Sequence, residues 1–117
     1  MEYIWNVKDK SYNLKLRTKR VLQLERAIGC NPLMIFGLEG DKIPSTKQLI
    51  AIIHAAIQDD TLMTEDVVED LVDDWIEDGH TYSDLIPLIM DIYRASGLIE
   101  DNTEEDEPKN EKKPAKK

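Results

Sequence analysis

Polar and apolar residues alternate twice near the start of the chain. Residues 2–8, EYIWNVK, place Tyr3, Trp5 and Val7 on one side and Glu2, Ile4, Asn6 and Lys8 on the other. After Asp9, Lys10 and Ser11, residues 12–17 repeat the pattern, with Tyr12, Leu14 and Leu16 opposed to Asn13, Lys15 and Arg17. Period two across a short polar connection predicts a β-hairpin. Its apolar face must lie on other elements, because an isolated two-stranded hairpin is marginal in water. Its edges are places where a strand from a partner, or self-association with a second copy, can add to the sheet.

The period then changes to that of a helix. Thr18 is the expected N-cap, with Val21, Leu24 and Ile28 on one face and Gly29 just past the end, where a left-handed backbone costs glycine little. Asn31 and Pro32 repeat the start signal, a cap residue followed by proline at the first helical position. Leu33, Met34, Ile35 and Phe36 follow without polar interruption, before the flexible GLEGDK. Burial as a plug on a helical bundle is the plain fate of such a run. A methionine and phenylalanine cluster beside glycines is also what an adaptable protein-binding surface looks like, which makes Leu33, Met34 and Phe36 candidate contact residues.

Ser45 and Gln48 have capping-box spacing and open a helix expected to run through Gln58. It is apolar nearly all round, with Leu49, Ile50, Ile52, Ile53, Ala55, Ala56 and Ile57, and so is the expected central helix, with His54 a core or boundary residue. Thr64 caps the next helix, whose stripe of Val67, Val68, Leu71, Val72, Trp75 and Ile76 faces inward. The opposite side carries Glu69, Asp70, Asp73, Asp74, Glu77 and Asp78. This side is a solvated surface or a landing strip for a basic partner, and Asp70, Asp73, Asp74 and Glu77 are the candidate contacts. Gly79 is the expected stop. Ser83 is the expected cap of a last helix that turns Leu85, Ile86, Ile89, Ile92 and Tyr93 inward and ends at Gly97, with Leu98 and Ile99 folding back.

These segments predict an α+β chain, mostly α: an N-terminal β-hairpin, then a compact bundle of about four helices, forming a single domain over residues 1–99. Residues 100–117, EDNTEEDEPKNEKKPAKK, contain no aromatic or branched apolar residue and are expected to be a disordered charged tail.

Composition narrows the function. The chain of 117 residues carries a formal net charge of -9, so it is not built to neutralise phosphates, and a basic or amphiphilic protein fits better than nucleic acid. Lys15, Arg17, Lys19 and Arg20 are the only basic cluster before the tail. Cys30 is the sole cysteine, which excludes an intramolecular disulfide. No leader pattern opens the chain and no apolar run approaches the roughly 20 residues that span a bilayer, so no membrane role and a cytosolic setting are expected. Paired metal-binding histidines, a nucleophile elbow, a P-loop and a calcium loop are all missing from the sequence, and Cys30, His54 and His80 lack ligand spacing. We therefore expect no catalysis, no cofactor and no metal.

A hairpin strand followed by LERAIGCNPLMIF resembles the tail assembly chaperones of long-tailed bacteriophages, especially those of phages infecting Gram-positive bacteria. Leu24, Glu25, Gly29, Asn31, Pro32 and Leu33 carry the resemblance, with the helix after Pro44 and the acidic helix around Trp75. It covers most of residues 2–98. It implies a non-catalytic protein that binds the long, helical tape measure protein, keeps it soluble, and leaves as the tail tube polymerises. Such a protein works in the cytoplasm of the bacterial host and is not expected in the mature virion. The family is often made in a short and a frameshifted long form, and codons GCA AAA AAG at Ala115, Lys116 and Lys117 would supply a slippery run. The residues alone leave an alternative open: an acidic regulatory or inhibitory protein that mimics nucleic-acid charge to block a basic partner.

Overall fold

The computed structural model describes residues 2–37, 39–57 and 63–100. The chain opens as an antiparallel hairpin of β1 (Tyr3–Val7) and β2 (Lys10–Leu14), with Trp5 opposite Tyr12 and Val7 opposite Lys10. The connection is Lys8 and Asp9 rather than the expected Asp9 to Ser11. Lys8 adopts a φ of 55°, which lets two residues reverse the chain in keeping with strand twist. Lys10 and Ser11 are thereby freed to pair, and the Ser11 hydroxyl donates to the Asn6 side chain across the strands at 2.7 Å.

β2 stops at Leu14, earlier than the alternation to residue 17 implies, because its later backbone groups find helical partners. Leu14 bridges Ile57, Lys15 N–H donates to the Ala56 carbonyl at 2.9 Å, and Leu16 N–H donates to Ser96 Oγ at 2.7 Å. Leu16 is buried all the same.

The helices are α1 (Thr18–Ile28), α2 (Thr46–Ala56), α3 (Glu65–Glu77) and α4 (Leu85–Ser96), with 3-10 turns at Pro32–Phe36 and Tyr82–Asp84. Most boundaries follow from side-chain caps. Asn31 Oδ1 accepts Leu33 N–H at 2.9 Å, Thr64 Oγ1 accepts Val67 N–H at 3.2 Å, and Ser45 and Gln48 satisfy each other's backbone at 3.1 Å. Two expected caps are corrected. Thr18 is already helical and Arg17 occupies the cap position without a side-chain bond to the helix. Ser83 lies within the second 3-10 turn, where Asp84 Oδ2 accepts Thr81 N–H at 3.0 Å instead.

α2 lies at the centre, with Leu49, Ile50, Ile52, Ile53 and Ala56 all buried. It ends at Ala56 because Ile57 turns to an extended conformation to meet Leu14, and Gln58, the expected last residue, lies outside the described residues. α3 buries Val68, Val72 and Trp75, while Val67 stands exposed, so its apolar stripe is narrower than expected. α4 buries Leu88 in addition to Leu85, Ile89, Ile92 and Tyr93, and leaves Ile86 half-buried. It closes with Gly97 N–H on the Arg94 carbonyl and Leu98 N–H on the Tyr93 carbonyl, which lays Leu98 and Ile99 on the core. The hairpin covers one side of this bundle, and Trp5 meets the ring of Trp75 edge-on at 6.1 Å. Apart from Glu100, the expected disordered tail lies outside the described residues. No described helix is long and apolar enough to cross a membrane.

Candidate partner-binding surfaces

The apolar run at the first 3-10 turn splits by position. Ile35 is sunk into the core at 1% exposure, whereas Leu33 and Met34 stand in solvent at 41% and 39%. Phe36 is half-buried with its ring edge-on to Tyr93 at 6.4 Å, so it belongs to the rim of the core and offers a partner less than its neighbours do. The turn is anchored: Pro32 is buried, and its carbonyl accepts the Tyr93 hydroxyl at 2.8 Å. Burial in that contact pushes the Tyr93 hydroxyl far above its ordinary pKa, with the nearby Cys30 adding to the shift. Ile43, at 84% exposure, was not singled out from the sequence, because a lone isoleucine between lysine and proline has no period to betray it. Lys42 N–H donates to the Phe36 carbonyl at 2.8 Å and so ties the Ile43 loop to the end of the turn.

The acidic candidates fan out around α3. Asp70, Asp73 and Glu77 are exposed and Asp74 is half-buried. Lys8 at the hairpin turn reaches toward the end of the helix, with Nζ 3.8 Å from Glu77 and 3.6 Å from Asp78. Asp73 lines a cavity of about 370 Å³ together with Lys47, Ile50, Glu65, Glu69 and Tyr82. A second cavity of about 210 Å³ lies between α1 and α2, against Arg20, Leu24, Ala51, His54, Ala55 and Glu65. Sequence spacing gives no sign of either, since each is made by elements distant in the chain. The 3-10 turn packs on α1 and, through Tyr93, on α4, whereas α3 packs on α2 and β1. The fold thus presents the apolar and acidic candidates as separate surfaces.

The histidines are occupied within the fold. His54 Nε2 lies 3.1 Å from the Met63 carbonyl, and His80 stacks on Trp75 at 3.9 Å with Nδ1 2.9 Å from the Trp75 carbonyl. Among the described residues no three His, Cys, Asp or Glu side chains are grouped to hold a metal.

Fold and surfaces together define a small α+β protein, a hairpin laid on a four-helix bundle, with apolar and acidic faces turned outward. The chain belongs to DUF6096, described as a family of unknown function, whose profile matches residues 4–113. No curated protein and no solved structure matches it.

Proposed function

We propose that this protein is a non-catalytic tail assembly chaperone, which binds the tape measure protein of a long-tailed bacteriophage and keeps it soluble in the bacterial cytoplasm until the tail tube encloses it. The resemblance of LERAIGCNPLMIF and its flanking helices to that family supports the reading. The structural observation that supports it most is the anchored turn, which holds Leu33 and Met34 in solvent while Ile35 and Pro32 grip the core. A chaperone for apolar helical segments needs exposed apolar side chains that cannot collapse onto its own core.

The magnitudes suit a temporary partner. Full burial of a large apolar side chain contributes roughly 1.5–3 kcal/mol. Leu33, Met34 and Ile43, partly exposed as they are, would together contribute on the order of 3–4 kcal/mol before the cost of association. Association itself costs on the order of 4–15 kcal/mol, so these side chains add to other contacts rather than hold a partner alone, which keeps the complex reversible.

Co-expression with the tape measure protein, followed by capture at low and high salt, tests the reading. Capture that survives high salt and rescues the partner's solubility supports it. Failure to capture at either salt concentration overturns it. Capture lost entirely in salt favours the acidic mimic of nucleic-acid charge, whose attraction would be screened.

A further inference from the structure

Between α1 and α3 the outer face of α2 forms the floor of a trough. The two cavities share Glu65, and their floors are neighbouring residues of one helix, Ile50 in the larger and Ala51 with Ala55 in the smaller. The Lys15 to Ala56 hydrogen bond sets the start of α1 beside the end of α2, and the His54 to Met63 contact does the same for the start of α3. Both walls therefore run antiparallel to the floor. From Lys47 to Ala55 the floor extends about 12 Å at the helical rise.

The walls differ in charge. Along α3, Glu65, Glu69 and Asp73 recur every fourth residue, which puts them in a row with steps of about 6 Å. Tyr82, 56% exposed, adds an aromatic ring on the same cavity. Lys47 faces this row from α2, yet no ion pair joins it to a carboxylate among the described residues. Arg20 lines the α1 side.

We propose that the trough docks one amphipathic α-helix of a partner protein, with small and apolar residues toward α2 and lysine or arginine at four-residue spacing toward α3. Complementary charge decides the occupant. An acidic or wholly apolar segment would desolvate three carboxylates and give them nothing in return. A cation there gains the carboxylates, with the Tyr82 ring beside them. An extended segment is disfavoured, because helical walls have spent their backbone hydrogen bonds internally and cannot satisfy a strand. The inference takes from the chaperone reading only that the occupant belongs to a partner, and it names a surface different from the Leu33 turn.

The probe is a synthetic helical peptide with alanine and leucine on one face and lysine at every fourth position beside it, titrated into the full chain by amide NMR. A glutamate-for-lysine peptide is the control. The expected result is saturable shifts at Ile50, Ala51, Ala55, Glu69 and Tyr82 with the lysine peptide alone. Binding should weaken at least tenfold in Glu69→Lys with Asp73→Lys, two exposed positions whose change leaves the core intact, and stay unchanged in Leu33→Ser with Met34→Ser. Shifts centred on Leu33 and Met34, or equal binding by the charge-reversed variant, would overturn the proposal. So would concentration-dependent shifts at the same residues without peptide, which would give the trough to a second copy. If the peptide docks but the tape measure protein is not captured, the chaperone reading falls and the trough stands. If the charge-reversed variant still captures the tape measure protein and does not bind the peptide differently, the trough falls and the chaperone reading stands.

Discussion

The Tyr93 hydroxyl donates a buried 2.8 Å hydrogen bond to the Pro32 carbonyl, 61 residues away in the chain. It joins the last helix to the turn that exposes Leu33 and Met34, so one contact bears on both the stability of the bundle and the posture of that turn. Tyr93→Phe removes the donor and takes from the Pro32 carbonyl its link to the last helix. The expected loss is about 1–2 kcal/mol, read as a lower urea midpoint with an unchanged slope.

The same tyrosine gives the fold an alkaline limit. Desolvation raises the Tyr93 pKa above its ordinary 10.0, and Tyr3 is shifted in the same direction by burial and then by the charge of Asp91. A raised pKa means that the folded state holds its proton where the unfolded chain has lost it. The stabilisation is therefore complete below about pH 10 and is lost as pH rises further. Unfolding midpoints between pH 8 and 11.5 should fall more steeply for the wild type than for Tyr93→Phe; parallel curves would show that Tyr93 does not carry the effect.

Gly37 and Gly29 both adopt positive φ, 83° and 82°, but only one is crowded. A Cβ at Gly29 would meet nothing within 4 Å, while at Gly37 it would run into Asp41 Oδ1 and the Lys42 side chain. Gly37 also has a ψ of 166°, a combination reserved for glycine. Gly29→Ala should cost about 1 kcal/mol and Gly37→Ala about 2–3 kcal/mol, compared in one chemical denaturation series.

How much of this was legible in the sequence depended on range. The caps at Asn31, Ser45 and Thr64, and the left-handed stops at Gly29 and Gly97, each involve partners within five residues, and each lies where the residue types put it. Where two polar residues competed within a few positions the choice failed, as for Thr18 against Arg17 and Ser83 against Asp84. The hairpin turn was misplaced because Lys8 takes a left-handed conformation without the Asn-Gly signature. The trough was invisible, since Lys47, Glu65 and Tyr82 meet only after three elements have packed. Four consecutive apolar residues from Leu33 to Phe36 carry no period, so the sequence alone did not reveal which of them reach solvent.

Leu33 and Phe36, three positions apart, should separate binding from folding. Leu33→Ser and Met34→Ser remove side chains already about 40% exposed, and each should change stability by no more than about 0.5 kcal/mol. Phe36→Ala breaks the edge contact with Tyr93 at the core rim and should cost about 2 kcal/mol, less than a fully buried phenylalanine. Capture of the tape measure protein should drop with the first pair while their thermal midpoints hold. Equal destabilisation by all three would mean that the turn is structural throughout.

α3 is the element held most against its own electrostatics. Glu65, Glu69, Asp73 and Glu77 form one row at four-residue spacing, and Asp66, Asp70, Asp74 and Asp78 form another. Each like-charged neighbour costs roughly 0.2–0.5 kcal/mol, and Glu77 and Asp78 also sit at the negative end of the helix dipole. Lys8 offsets little of this, because its contacts to Glu77 and Asp78 are long and exposed. Asp70 lies midway along its row and contacts no cation in an ion pair among the described residues. Asp70→Lys turns two repulsions into attractions and should raise stability by about 1 kcal/mol, with the largest gain at low ionic strength. The wild type should gain stability as salt rises from 0.05 to 0.5 M (values of about these magnitudes span the Debye screening range), and the variant should gain less. A helix kept at such a cost is understandable if a basic partner relieves it, so the same partner should stabilise the wild type more than Asp70→Lys. Thermal shifts of the two proteins, with and without the lysine peptide, decide the point: equal shifts would leave the Asp66 to Asp78 row a solvated surface, while the Glu65 to Asp73 row that lines the trough is tested by its own charge reversal.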